Sequence, residues 1–201
     1  MLIVIMCAGK NRRWNEEYPK SLAEFKNEPN ILRTVRLLNR QNISNDTILV
    51  TVNENNKSFF PKNLNLKLGS SDREIDRFRN VFDIIDNYDK VVFLYGDVLY
   101  LEDDLIKILS TEDYCFFGRS GKNPITNKLH GEILGLTTNQ IENFKNDVNQ
   151  VALKFERGIL SRELGWEVFW NNKKNKFIEL SFYTDDYDSI KEYDIISKNL
   201  I

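Results

Sequence analysis

Three short stretches, LIVIM (Leu2–Met6), TILVTV (residues 47–52) and KVVFLY (residues 90–95), are apolar almost without interruption. A strand with one wet face alternates apolar and polar side chains. Continuous runs of this length instead imply strands buried on both faces, as in a parallel sheet covered by helices on each side. Between the runs the pattern changes. NILRTVRLLNRQ places Ile31, Val35 and Leu38 on one helical face behind Asn30, a residue type suited to an N-cap. LNLKL (residues 64–68) alternates like a half-buried strand, and a helix over residues 74–87 would put Ile75, Phe78, Phe82 and Ile85 on its inner side. The order strand–helix–strand–strand–helix–strand predicts an α/β fold, with a mostly parallel sheet between two helical layers.

The second half is less regular. DYCFFG and EILGL read as strands, residues 138–160 as a helix, KFIELSFY (residues 176–183) as a strand and SIKEYDIISKNL as a closing helix. Neither a repeat nor a linker rich in Pro, Gly or Ser divides the chain, so a single domain over residues 1–201 is expected. With 28 basic and 30 acidic residues the net charge is −2, so no global basic field points to nucleic acid, and any anion site must be local. Cys7 and Cys115 sit in or beside apolar runs, as buried thiols in a reducing cytoplasm do. Two cysteines and one histidine do not make a zinc set. A secretory leader pattern and an apolar stretch of transmembrane length are both lacking, which leads us to expect a cytoplasmic protein without membrane insertion.

The chemistry concentrates first in residues 7–20. CAGKNRRWNEEYPK leaves the carboxyl end of the first strand, where open α/β sheets bind ligands, and it lacks regular periodicity. Gly9 permits close backbone approach, and Lys10, Arg12, Arg13 and Lys20 supply positive charge suited to a triphosphate. The P-loop pattern and the G-x-G-x-x-G fingerprint are both absent, and on charge alone a solvated basic loop is the other reading.

MCAGKNRRWNEEYPKSL resembles the signature of the nucleotidyltransferases that join an NTP to a phosphorylated small molecule: a strand, Ala-Gly-x-Gly-x-Arg, a variable stretch, and Pro-Lys. Ala8, Gly9, Arg13, Pro19 and Lys20 fall on it in order, while Asn11 stands where the second glycine is usual. Asparagine tolerates left-handed backbone better than other non-glycine residues, which keeps the turn feasible. The resemblance implies a Rossmann-like three-layer sandwich of the nucleotide-diphospho-sugar transferase type. It implies a nucleotide-binding part over about residues 1–110, then an acceptor-binding part with a closing metal-ligand segment over about 111–201. Arg13 and Lys20 inherit the triphosphate, with Cys7, Ala8, Gly9, Lys10 and Asn11 lining the nucleotide.

Two acidic segments follow. Gly96-Asp97 ends a buried strand, and a carboxylate there suits Mg²⁺, which takes one or two carboxylates beside phosphate oxygens and water. A turn or cap role is the alternative for the residue type; the resemblance implies the metal role for Asp97. Glu102, Asp103 and Asp104 suit the acidic first turn of a helix. TDDYDSIKEYD resembles the family's late Asp-x-Asp-Thr segment, making Asp186 and Asp188 candidate metal ligands, although Ser189 and its neighbours also suit a helix cap. GSSDREIDRFRN resembles the family's nucleobase-pocket stretch and implicates Gly69, Ser70 and Arg73; a solvated face of Arg73, Arg77 and Arg79 is the alternative.

For the acceptor, His130 and Glu132 lie together in HGEILGL, and Trp166 and Trp170 are spaced by four in RELGWEVFW. An aromatic lining would favour a cationic acceptor such as phosphocholine, and core packing explains the spacing as well. Lys154 and Arg157 could meet an acceptor phosphate or simply face solvent. The expected activity is Mg²⁺-dependent transfer of a nucleotidyl group, with CTP as donor by analogy to compact cytidylyltransferases, to the phosphate of a small acceptor. Alternatives are a sugar-1-phosphate uridylyl- or guanylyltransferase, a nucleotide-sugar glycosyltransferase (which would want Asp-x-Asp where Gly96-Asp97-Val98 stands), and a non-catalytic nucleotide-binding module.

Overall fold

A computed structural model describes residues 1–9, 13, 14, 16–70, 73, 75–163, 165–172 and 175–199. In chain order the elements are β1 (Leu2–Met6), β2 (Glu24–Phe25), β3 (Glu28–Pro29), α1 (Asn30–Arg40), β4 (Ile48–Val52), β5 (Leu66–Leu68), α2 (Asp76–Arg79), β6 (Val91–Tyr95), β7 (Val98–Leu99) and α3 (Glu102–Ser110). There follow β8 (Cys115–Arg119), β9 (Glu132–Thr138), α4 (Ile141–Glu156), α5 (Gly165–Asn171), β10 (Lys176–Glu179), β11 (Asp185–Asp186) and α6 (Ile190–Asn199).

Among the described residues a seven-stranded sheet runs in the order β10-β8-β9-β6-β1-β4-β5. β1 pairs in parallel with β4 and β6, and β5 extends that set, whereas β9 runs antiparallel to both β6 and β8. The expected mixed, mostly parallel sheet is what forms. β1 shows why the continuous apolar runs were needed. Ile3 and Ile5 face a core with Ile31 and Leu38 of α1 and Leu105 and Ile108 of α3, while Leu2, Val4 and Met6 face another with Phe144 and Val148 of α4. Each successive side chain of β1 is thereby buried, on alternating faces.

Several expected elements are shorter in the structure. The helix expected over 74–87 is regular only in α2; beyond it, bonds such as Phe82 N to Arg79 O (3.1 Å) and Ile84 N to Val81 O (3.0 Å) tighten the chain into i→i+3 turns. The β-branched residues Val81, Ile84 and Ile85 disfavour a regular helix, yet Ile75, Phe78 and Ile85 are all buried as the spacing requires. The helix expected over 138–160 loses its ends to β9 and to Gly158, whose φ of +68° stops α4. The strand expected over 176–183 ends at Glu179. There the Asp104 carboxylate accepts the Ser181 N–H (3.1 Å) and the chain turns out of the sheet towards β7.

Asn30 is not an N-cap. Pro29 holds that position, and Asn30, fully buried in the first turn of α1, aims its carboxamide elsewhere. α3 does begin on the acidic turn Glu102–Asp103–Asp104, favourable to the helix dipole. No helix among the described residues is long and apolar enough to cross a membrane.

Phe144 contacts the rings of Phe78, Phe82, Phe93 and Tyr114, with centroids 4.9 to 6.1 Å apart. Phe144→Ala should therefore cost about 3–5 kcal/mol, read as a lower urea midpoint at an unchanged slope.

Candidate active site

β1 and β6 are parallel neighbours with Met6 opposite Tyr95, so they end together at one edge of the sheet. The chain leaving β6 stays against β1: Gly96 N–H donates to Met6 O at 3.1 Å. A Cβ on Gly96 would lie 2.3 Å from Cys7 Sγ, so only glycine permits this approach. Asn30 fixes the other side of the turn, its Nδ2 donating to Gly96 O (3.2 Å) and Val98 O (2.9 Å). Asp97 is thereby held at the strand end between two clamped carbonyls.

The carboxylate meets Lys20. This side chain, 16% exposed, reaches Asp97 Oδ2 and also lies 3.0 Å from Asp188 Oδ1. Arg13 Nη2 stands 2.5 Å from Asp188 Oδ2. Lys20 opens a 3₁₀ turn (Lys20–Leu22) behind buried Pro19, and its carbonyl accepts the Tyr187 hydroxyl at 2.7 Å. Tyr187 N–H in turn donates to Asp97 O at 3.1 Å. β11 pairs antiparallel with β7, Asp186 opposite Val98, and this pairing delivers Asp188 to the first loop. The two loop cations and two of the predicted carboxylates thus form one cluster.

The electrostatics follow from burial and pairing. Burial works against the charge of Asp97, but Lys20 and then Arg77 hold its carboxyl below the ordinary range. Burial likewise disfavours the Lys20 ammonium, and Asp97 and Asp188 reverse this and raise its pKa. Burial pushes Asp186 well above the carboxylate range; Lys128 opposes this, while Glu132, Asp185 and Asp97 add to it. Burial also raises Glu132, against Lys128 and Arg119 and helped by Asp185 and Asp188. The Cys7 thiol is pushed up to about 12 by burial and Cys115 to about 11, so neither is a thiolate at neutral pH.

The structure separates the two late aspartates. Asp188 shares Lys20 with Asp97, whereas Asp186 Oδ1 and its carbonyl both accept from Lys128 Nζ, each at 2.7 Å. Asp185, fully buried, is a bracing residue: it accepts from Asn123 Nδ2 (2.8 Å), Thr126 Oγ1 (3.0 Å) and Arg119 Nη2 (3.3 Å).

In the nucleotide half, Cys7 and Ala8 are buried, and Gly9 lies under the Arg77 guanidinium, 3.3 Å from where its Cβ would stand. Lys10, Asn11 and Arg12 lie outside the described residues. Ser70 is bound to Asn80, whose Oδ1 accepts Ser70 N–H (2.9 Å) and whose Nδ2 donates to Ser70 O (3.0 Å); Gly69 lies against the same carboxamide and its N–H donates to Val52 O (2.9 Å). Arg73 is engaged by Asp76 (3.1 Å) and Glu156 (2.8 Å), so the arginine of this segment that reaches the first loop is Arg77. Sequence reasoning had treated Arg77 only as part of a solvated face. It also missed Asn53, whose Nδ2 donates to Ala8 O (3.2 Å) and Gly9 O (3.3 Å). The signal was available: Asn53 directly follows β4, at the same sheet edge as Asp97.

On the acceptor side, Glu132 begins β9 and shares its electrostatics with Asp186 and Asp188. His130 is exposed; its carbonyl, not its ring, is used, accepting from Arg119 Nη1 at 2.5 Å. Trp166 stacks with Trp170 (centroids 5.4 Å apart) and Phe177 (5.2 Å), and its indole N–H donates to Gly131 O at 3.1 Å. These contacts tie α5 to β10 and to the 130–132 segment. Lys154 donates to Asn171 Oδ1 at 2.6 Å, joining α4 to α5.

No protein-family profile and no curated protein sequence matches the chain. Solved structures do. A protein assigned as a glucose-1-phosphate thymidylyltransferase of Bacillus anthracis aligns with a TM-score of 0.69 at 14% identity, over 99% of this chain and 94% of that one. CTP:phosphocholine cytidylyltransferase of Streptococcus pneumoniae aligns at 0.66 and 16% identity, over 100% and 99%. The chain shares the fold of these two structures. A 4-diphosphocytidyl-2C-methyl-D-erythritol synthase of Anaerococcus prevotii, at 0.66 and 12% identity over 98% and 96%, shares it.

Two expectations come from this geometry. Asn30→Ala strands two carbonyls in the core and should lower unfolding free energy by about 1–3 kcal/mol in urea titration. Asp97 is held low by Lys20, so its pairing stabilises the fold above the unfolded carboxylate range and is lost as pH falls through the lowered folded value. Lys20→Met should therefore cost most stability at neutral pH. The gap to wild type should narrow as pH falls below about 4, measured by thermal melts across pH.

Proposed function

We propose that this protein is a nucleotidyltransferase that transfers a nucleotidyl group from an NTP to the phosphate of a small phosphorylated acceptor, releasing pyrophosphate. The observation that carries the reading is the convergence of Arg13 and Lys20, from the first loop, on Asp97 and Asp188 at the carboxyl edge of the sheet. The fold shared with three structures bearing transferase or synthase names supports it.

The donor set fits Mg²⁺: two hard carboxylates approach one cationic atom, Lys20 Nζ, from two sides. When bound, Mg²⁺ would offset phosphate charge between Asp97 and Asp188. The chain's own groups do the remaining work. Arg13 and Lys20 hold the triphosphate and neutralise charge on the departing pyrophosphate. Arg77, over Gly9, adds positive charge where the loop backbone meets the phosphates. The nucleophile is the acceptor's own phosphate oxygen, largely ionised at neutral pH because phosphomonoesters have a second pKa of about 6, so no general base is needed. That oxygen attacks the α-phosphorus in line, a new P–O bond forms, and the bond to the β-phosphate bridging oxygen breaks. The buried, raised thiols of Cys7 and Cys115 are consistent with a reaction free of covalent enzyme intermediates.

We place the acceptor beside Glu132 and the Lys128–Asp186 pair, with Trp166 shaping the 130–132 segment from behind. CTP is the proposed donor, since two of the three similar structures carry cytidylyl names. The thymidylyltransferase assignment of the third favours a second reading, transfer to a sugar 1-phosphate from another pyrimidine nucleotide. The proposed setting is cytoplasmic.

A pyrophosphate-release screen should find turnover when the four NTPs and dTTP are crossed with phosphorylated amino alcohols, polyols and sugar 1-phosphates. Lys20→Ala, Asp97→Ala and Asp188→Asn should each lower the rate by at least about 100-fold with the fold retained. Asp186→Asn should be milder, because Asp186 already serves Lys128. Near-normal turnover in Lys20→Ala or Asp97→Ala would overturn the site.

A further inference from the structure

Lys20 does more in this structure than await a phosphate. Its ammonium lies between Asp97 and Asp188, residues brought together from distant parts of the chain, and it forms an ion pair with each. Its backbone is fixed by Pro19 before it, by the turn it opens and by the hydroxyl of Tyr187 on its carbonyl. The side chain is 16% exposed, as are those of Asp97 and Asp188, so the interaction is shielded from bulk water and only weakly screened. Among the described residues, no group of three or more His, Cys, Asp or Glu side chains is placed to hold a metal ion. Two carboxylates facing one ammonium are therefore what a divalent cation would meet.

An ammonium and a divalent cation cannot occupy the same gap. Their charges repel at a separation where partial burial makes the repulsion severe, and the carboxylate oxygens cannot serve both. Metal entry requires Lys20 to leave, and leaving a buried carboxylate pair is costly unless another anion receives the ammonium. A polyphosphate is such an anion, and Lys20 has a long flexible stem on which to reach it. Arg13, whose side chain is 74% exposed, can make the same move away from Asp188.

Resting on the nucleotidyl-transfer reading of this site, we propose that Lys20 is the resident counter-ion of the Asp97–Asp188 pair, exchanged for a divalent cation only when a polyphosphate draws its ammonium away. Metal and nucleotide are then taken up together, each raising the affinity for the other. Without the polyphosphate the lysine keeps the metal out.

The test is direct Mn²⁺ binding by electron paramagnetic resonance of the free ion, on the full chain without nucleotide. Wild type should bind Mn²⁺ weakly. Lys20→Met, which removes the ammonium but keeps the stem, should bind at least about tenfold more tightly, and Lys20→Arg, which keeps a cation, should stay weak. Lys20→Met/Asp97→Asn should lose the gain, and circular dichroism checks that each variant is folded; Lys20→Gln replaces Lys20→Met if that variant does not fold. Inorganic tripolyphosphate should raise Mn²⁺ uptake in wild type beyond what tripolyphosphate alone chelates. Equal affinity in wild type and the charge-removed variant would overturn the exchange, as would tight binding by Lys20→Arg or no tripolyphosphate effect. None of these measurements uses turnover. Failure of the transfer reading would show instead as silence in the pyrophosphate screen while the Mn²⁺ results stood.

Discussion

Covering β1, β4 and β6 on both faces constrains everything else in this molecule. Strands buried on two sides cannot carry charge along their length, so the chemistry is displaced to their ends, and parallel pairing brings those ends to one edge. Cys7–Gly9 after β1, Asn53 after β4 and Gly96-Asp97 after β6 are the residues placed there. The hydrophobic pattern thus fixes where a polar site can be, even though it does not say what the site does.

The site itself is a crowded set of charges under partial burial. Removing charges from water is costly, and pairs of this kind are weak sources of stability even where breaking them is strongly destabilising. Lys20 with Asp97 and Asp188, Lys128 with Asp186, and Arg119 with Asp185 are distinct pairings, each bracing a different segment. Their effect is positional. By residue type the late aspartates Asp185, Asp186 and Asp188 look interchangeable, and the cations beside them give each a separate task.

Much of this was legible in the residues. The continuous apolar runs disclosed the strands, and strand-end position singled out Asp97 and the first loop. Less visible were features set by distant contacts. Asn30 suits an N-cap by type, yet the carbonyls of Gly96 and Val98, more than sixty residues on, take its carboxamide. Arg73 and Arg77 look alike in the sequence and part company only because Asp76 and Glu156 are packed beside the first of them. Trp166 and Trp170 do share a helical face, but Phe177 from β10 joins the stack and the indole N–H is spoken for, which periodicity alone does not disclose. Helix and strand ends failed where local bonding overrode pattern, at Val81–Ile85 and at Ser181.

The hydrogen bond from Tyr187 to the Lys20 carbonyl joins an early segment of the chain to a late one, with Trp14 of the first loop packed against Tyr187 and Tyr193. The strands β1, β4, β5 and β6 have all been made by residue 95, but Tyr187, Asp188 and Tyr193 come about ninety residues later. During synthesis the cations of the first loop therefore exist long before their late carboxylate partner. A chain released before residue 188 therefore carries the first loop without the carboxylate that Arg13 and Lys20 share, and is chemically incomplete.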